Sequence, residues 1–179
     1  MAVILVFQQQ RRRLAAKRGF ESWNRRFSES FIEETCLKDL TDDTLRTLIQ
    51  SEEDSALLLY SLIIGLMGLG KGFKFYDLDS KVRLEVMDIS LFLLDQSRFE
   101  VMNRLGWIEG SPFSSVPVLD LVQQFSAVYS RMKNQAPHLL QSHPRYREYL
   151  EAFEGDRSVF IRKLIPDAIQ AFREEEEGA

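Results

Sequence analysis

Asp88, Asp95 and Arg98 are the residues whose types and spacing come nearest to chemistry in this sequence. Two carboxylates can share a metal ion or divide acid and base roles. An arginine beside them can grip an anion. Seven residues on a helix separate Asp88 from Asp95 by about 10 Å along the axis. That is too far for one metal ion, and wide for a hydrolase, whose paired carboxylates stand about 5–9.5 Å apart. Asp95 and Arg98 are three apart, so they can meet on a helix surface. Leu84, Met87, Leu91, Leu94, Val101, Met102 and Leu105 surround them on one expected apolar face. Charged groups in such company need partners. Arg83, Arg104 or a basic residue on another helix is the expected partner of Asp88. The arrangement suits a polar pocket in which Arg98 holds a small anionic ligand. It suits equally an ion-pair network that fixes helix register, the commoner use of such pairs.

The stretch "SLIIGLMGLGKGFKFYDLD", Ser61 to Asp79, places Gly65, Gly70 and Lys71 at phosphate-loop spacing. Such a loop aims backbone N–H groups at phosphate oxygens, and its Ser/Thr hydroxyl holds magnesium. Gly72 stands where that hydroxyl is needed. The loop must also leave a strand and open a helix, whereas here a helical run precedes it and no helix signal follows until Asp79. "LFLLD", ending at Asp95, lies in a helical segment and not in the strand a second nucleotide motif requires. The glycines are therefore read as a helix end that lets a neighbour come close.

No other set of catalytic, cofactor-binding or metal-ligating residues stands out. His138 and His143 are five apart, which does not put both on one helix face. Cys36 sits in "EETCLKDL", where acidic neighbours raise a thiol pKa. It reads as a core or boundary cysteine. There is no Gly-x-Ser-x-Gly elbow, His-Glu-x-x-His run, zinc ligand set or dinucleotide fingerprint. The chain is expected to have no cofactor and leans away from being an enzyme.

The elements that would position these residues are helical. Ala16, Phe20, Trp23, Phe27 and Phe31 recur at steps of three and four. Thr41 and Ser51 are expected N-caps, each followed by acids in the first turn. The run from Ser55 to Gly70 holds sixteen residues without a charge and is apolar all round, as a helix enclosed by others is. It falls short of the about 20 residues a membrane span needs. Asp79 or Ser80 caps the longest segment, which ends at the capping glycine Gly106. Val118 to Met132 follows after a loop, then a helix near Pro144. The last helix carries Ile161, Leu164, Ile165, Ala168, Ile169 and Phe172, and Pro166 should kink or restart it. "MAVILVF" and "FKFY" are the only short strand signals. The expectation is all-α: a single-domain bundle over 1–179 of about six or seven helices. One long central helix near 80–105 should pair with a buried helix near 52–69. Residues 1–34 form a basic amphipathic segment and 174–179 an acidic tail.

The chain has 179 residues, 45% hydrophobic and 28% charged, within the range of globular domains. Residues 1–27 carry net +6, so the rest carries −10 of the overall −4. Such a head can bind an external anion or fold back on its own acidic body, and the apolar stripe favours docking on the body. The single cysteine excludes an intrachain disulfide. An apolar run placed before the arginines is the wrong order for a secretory signal. The expected location is cytoplasmic. The leading expectation for function is protein–protein contact, above all homo-oligomer assembly with the head crossing to a partner. The alternative is an enzyme or binding protein for a small anionic ligand, using Asp88, Asp95 and Arg98. Peripheral membrane or nucleic-acid binding through the head ranks third.

Overall fold

A computed structural model describes residues 1–50, 52–70, 72–132 and 135–178. Ser51, an expected cap, and Lys71, the lysine at phosphate-loop spacing, lie outside the described residues. Helix α1 spans Ala2–Gly19 and α2 spans Glu21–Phe27, stopped by Ser28 in a left-handed conformation with φ of 51°. The "MAVILVF" strand signal is thus part of a helix. Thr41 caps α3 (Asp42–Leu48) by accepting a hydrogen bond from the Thr44 N–H. Then come α4 (Glu53–Leu66) and a 3-10 turn at Gly72–Asp77, which holds the "FKFY" stretch. The Asp79 carboxylate accepts from the Lys81 and Val82 N–H groups and starts α5, Ser80–Arg104. That helix gives way to Gly106 at φ of +70°, a conformation glycine adopts without strain.

Short helices complete the chain: α6 (Val118–Gln123), α7 (Phe125–Met132), α8 (Tyr146–Glu151), α9 (Arg157–Lys163) and α10 (Ile165–Glu177). Pro166 falls in the first turn of α10, so the chain stops after α9 and restarts. Two strands of two residues, β1 (Ile108–Glu109) and β2 (His138–Leu139), pair antiparallel. The chain is all-α, but among the described residues its helices are more numerous and shorter than the six or seven expected. The reason is local: Gln124 and Leu164 interrupt segments whose periodicity runs on through them.

Helix α4 lies at the centre. It packs against α1, α2, α3, α5 and α6, and Leu59, Leu62, Ile63, Ile64 and Leu66 are buried. Each such side chain is worth about 1.5–3 kcal/mol when fully buried. Phe20, Trp23 and Phe31 pack ring against ring on this core, and the Trp23 indole N–H donates to the Leu58 carbonyl. Helix α5 takes part in two apolar clusters. Val86, Ile89, Phe92, Leu93 and Val101 join the core around α4. Phe99 and Met102 join a second cluster with Ile108, Leu139, Tyr149, Ile161 and Leu164.

Candidate functional site

The apolar face expected from the sequence is buried only at the end of α5, where Val101 and Met102 are enclosed, and not along its first half. Val86, Ile89, Ser90, Leu93, Gln96, Ser97 and Glu100 face inward, while Leu84, Met87 and Leu91 are exposed. Apolar residues occur all round this helix, so their spacing does not single out one face. The inward line carries three polar side chains from Gln96 onward. Ser97 donates to the Leu93 carbonyl. Glu100 pairs with Arg104 at 2.9 Å.

Asp95 sits between two arginines. Arg98, one turn on, approaches to 3.6 Å, and Arg162 of α9 donates from Nη1 to the Asp95 Oδ2 at 2.5 Å. The expected Asp95–Arg98 pair is present, but Arg162 makes the shorter contact. The Arg98 Nε is buried without a hydrogen-bond partner. Asp88 is exposed and meets neither expected partner. Arg83 turns to Ser80, and Arg104 binds Glu100, Asp42 and the carbonyls of Leu37, Lys38 and Leu40. Arg104 stands sixteen residues from Asp88 on the same helix, where its fork closes the start of α3 onto the end of α5.

Two cavities meet at Tyr129 and Arg162. A groove of about 530 Å³ runs between α5 and α7, lined by Asp88, Leu91, Phe92, Asp95, Phe125 and Ser126. The neighbouring cavity, about 200 Å³, is walled by Phe99, Phe113, Ile161 and Gln96, with Ser111 and Ser158 among its polar groups. Asp88 and Asp95 thus share the groove, whereas Arg98 lines neither space. Among the described residues no histidine or cysteine lines either cavity. Nor do three or more His, Cys, Asp or Glu side chains gather there in a group suited to a metal ion.

Tyr129, Gln96 and Arg162 were not singled out from the sequence. Arg162 is 67 residues from Asp95, a separation that no local pattern reports. Gln96 did leave a trace, as part of the polar stretch Asp95 to Arg98 between apolar residues.

The glycine-rich stretch is resolved by packing. A Cβ on Gly65 would lie 2.5 Å from the Gly19 Cα, so α1 and α4 touch backbone to backbone there. Gly68 and Gly70 have φ of +75° and +121°, which end α4. Elsewhere, Cys36 is buried and burial is the main cause that raises its thiol pKa, with Asp39 adding to it. His143 packs edge-on to Trp107, and its pKa is lowered by burial and then by Arg145.

The other unusual surface is the beginning of α1. Val3, Ile4, Leu5, Val6 and Phe7 are all exposed, Val3 by 81% and Phe7 by 61%. The helix is held to the body further along, where Arg12 bonds Asp120 at 2.6 Å and Arg13 bonds Glu33 at 3.1 Å. Ala16 and Gly19 are buried against α4. From Arg12 back to Val3 the helix runs about 13 Å at 1.5 Å per residue. No helix among the described residues is long and apolar enough to cross a membrane. Comparison with protein-family models, curated proteins and solved structures found no match to this chain.

Proposed function

We propose that this protein works by protein–protein contact and that its first partner is a second copy of itself. The apolar start of α1 in one copy would lie in the α5–α7 groove of the other. The observation that carries this reading is the exposure of Val3 to Phe7 on a helix that is anchored from Arg12 onward. Contiguous apolar surface of this kind marks interaction sites. The same chain offers a matching surface. Leu84, Met87 and Leu91 form an outward stripe along α5, with Leu91 62% exposed, beside Phe125 and Tyr129. Charge agrees as well. Arg11, stacked over Phe7, follows the apolar turns, and the groove carries the carboxylate of Asp88, which pairs with no described residue. Full burial of each apolar side chain is worth about 1.5–3 kcal/mol. The five are consecutive and point round the helix. The groove would cover those that share one side, such as Val3, Val6 and Phe7, whose burial offsets part of an association cost of about 4–15 kcal/mol.

Nucleic acid or an anionic membrane is less favoured by the same surface. Arg12 and Arg13 are engaged with Asp120 and Glu33, which leaves less of the head's charge for an outside anion.

The test is sedimentation equilibrium across a wide concentration range. Wild type should associate. Val3→Asp and Leu91→Glu should each remain monomeric with unchanged circular dichroism. Arg11→Asp should weaken assembly, and Asp88→Arg in the same chain should restore it. A wild type that stays monomeric at the highest concentration removes this function. Vesicle binding by that monomer, lost in Val3→Asp and retained in Leu91→Glu, would assign α1 to a membrane surface.

A further inference from the structure

The smaller cavity, between α5, α9 and the Ser111–Phe113 loop, has the chemistry of a ligand site. Its floor is Gln96, only 3% exposed yet lining the space, with an amide that bonds to no described residue. Its amide is not among the buried side-chain atoms closed off from solvent, so its hydrogen-bonding groups open onto the cavity, where a ligand can meet them. Its two sides are a donor pair and an acceptor. The walls beside it are rings and a branched aliphatic side chain: Phe99, Phe113 and Ile161, all buried. Arg162 closes one side, its guanidinium 5.6 Å from the centre of the Phe99 ring. Among the described residues only its Nη1 is bonded, to Asp95, so its other N–H groups are available. Asp95 orients this arginine and is a positioning residue.

We infer that this cavity binds a compact aromatic monocarboxylate, its ring between Phe99 and Phe113 and its carboxylate shared by the Gln96 amide and Arg162. The size agrees. About 200 Å³ is the space of roughly seven water molecules at about 30 Å³ each, enough for one substituted six-membered ring. Burial of the walls supplies affinity for the ring. The guanidinium selects an anion over a neutral amide, because planar carboxylate and guanidinium match in geometry. Leu91 and the α1 turns do not line this cavity, although it shares Tyr129 and Arg162 with the groove that self-association would occupy.

Benzoate and its neutral analogue benzamide are suitable probes. Each is titrated into the full chain, with backbone and methyl NMR shifts as the readout. Benzoate should give saturable shifts centred on Phe99, Phe113 and Ile161, and benzamide should bind more weakly. Gln96→Leu removes an amide that bonds to no described residue and puts an apolar group of similar size in its place, so the fold should be kept. Its affinity for benzoate should fall by about tenfold. Ser158→Phe, at the exposed rim, should block entry without altering the buried walls. Repeating the titration in Leu91→Glu reads the cavity with the neighbouring groove unoccupied, and saturable benzoate shifts should persist there. The inference is overturned if folded wild type shows no saturable shift up to about 10 mM benzoate, beyond the range expected for a ligand of this size. It is also overturned if benzamide binds as tightly, or if both variants bind like wild type.

Discussion

Gly19 and Gly65 lie so close that neither can carry a side chain. A Cβ on Gly65 would come within 2.5 Å of the Gly19 Cα, and one on Gly19 within 2.6 Å of the Leu66 side chain. Gly19 is the last residue of α1 and Gly65 the last but one of α4. Their missing side chains permit the backbone contact that seats α1 on α4.

Gly65→Ala should therefore destabilise the protein, although alanine is the better helix former. Overpacking of this kind costs about 1–3 kcal/mol, or a fall in Tm of roughly 2–4 °C per kcal/mol for a chain of this size. Differential scanning calorimetry gives the answer, and a Tm unchanged or raised would contradict the contact. The neighbouring Gly68, at φ of +75° with open space around it, should lose stability on substitution by alanine through backbone strain alone.

Arg104 is expected to be the most sensitive charged residue. Its guanidinium serves Glu100, Asp42 and three backbone carbonyls, and the Glu100 side chain is only 4% exposed. Arg104→Ala leaves that carboxylate buried without compensation, a loss of about 3–5 kcal/mol. The double variant Glu100→Leu with Arg104→Met should be less damaged than Arg104→Ala alone. Urea denaturation of the two decides it; a double variant weaker than the single one would show that the pair is not the source of the effect.

His143 gives a pH dependence of defined sign. Burial against Trp107, and then Arg145, lowers its pKa from the ordinary 6.5, so the fold favours the neutral ring. The unfolded chain then binds more protons in the window between the two pKa values. The contribution of His143 is complete above about pH 6.5 and is lost as pH falls through the folded pKa. The imidazole signals of His143 should titrate with a midpoint below that of the unfolded chain. His143→Gln should flatten the slope of stability against pH in this window, and an unchanged slope would remove His143 as its cause.

Cys36 should react slowly with a disulfide reagent in the folded protein. Burial and Asp39 raise its thiol pKa, and its Sγ lies 3.3 Å from the Glu34 carbonyl oxygen. The thiolate is the reactive form. At pH 8 the thiol should label readily in denaturant and far more slowly without it. Equal rates would place Cys36 at the surface.

Much of the local structure was legible from residue order. Thr41 and Asp79 cap as their side chains dictate, Gly106 closes α5, and Pro166 restarts the last helix. The pair of two-residue strands was not legible, because Ile108 and Leu139 meet across 31 residues and two residues show no alternation. Of the candidate site, Asp95 with Arg98 was visible as a one-turn pair. The expected arginine partner of Asp88 is not seen: Asp88 turns outward to the groove that Asp95 also lines, and no arginine among the described residues pairs with it.

By itself, then, residue order determined that these segments coil and where most of them start and stop. Helical periodicity, capping and proline geometry act within a few residues, so they are written locally. Only tertiary packing decided which side of α5 turns inward, that Arg162 closes on Asp95, and that Gln96 ends in a cavity. Apolar residues surround that helix, so its own sequence leaves the inward face open. The choice falls to the burial of Phe20, Trp23 and α4 on one side and of Ile161 and Leu164 on the other, contacts made by parts of the chain distant in sequence.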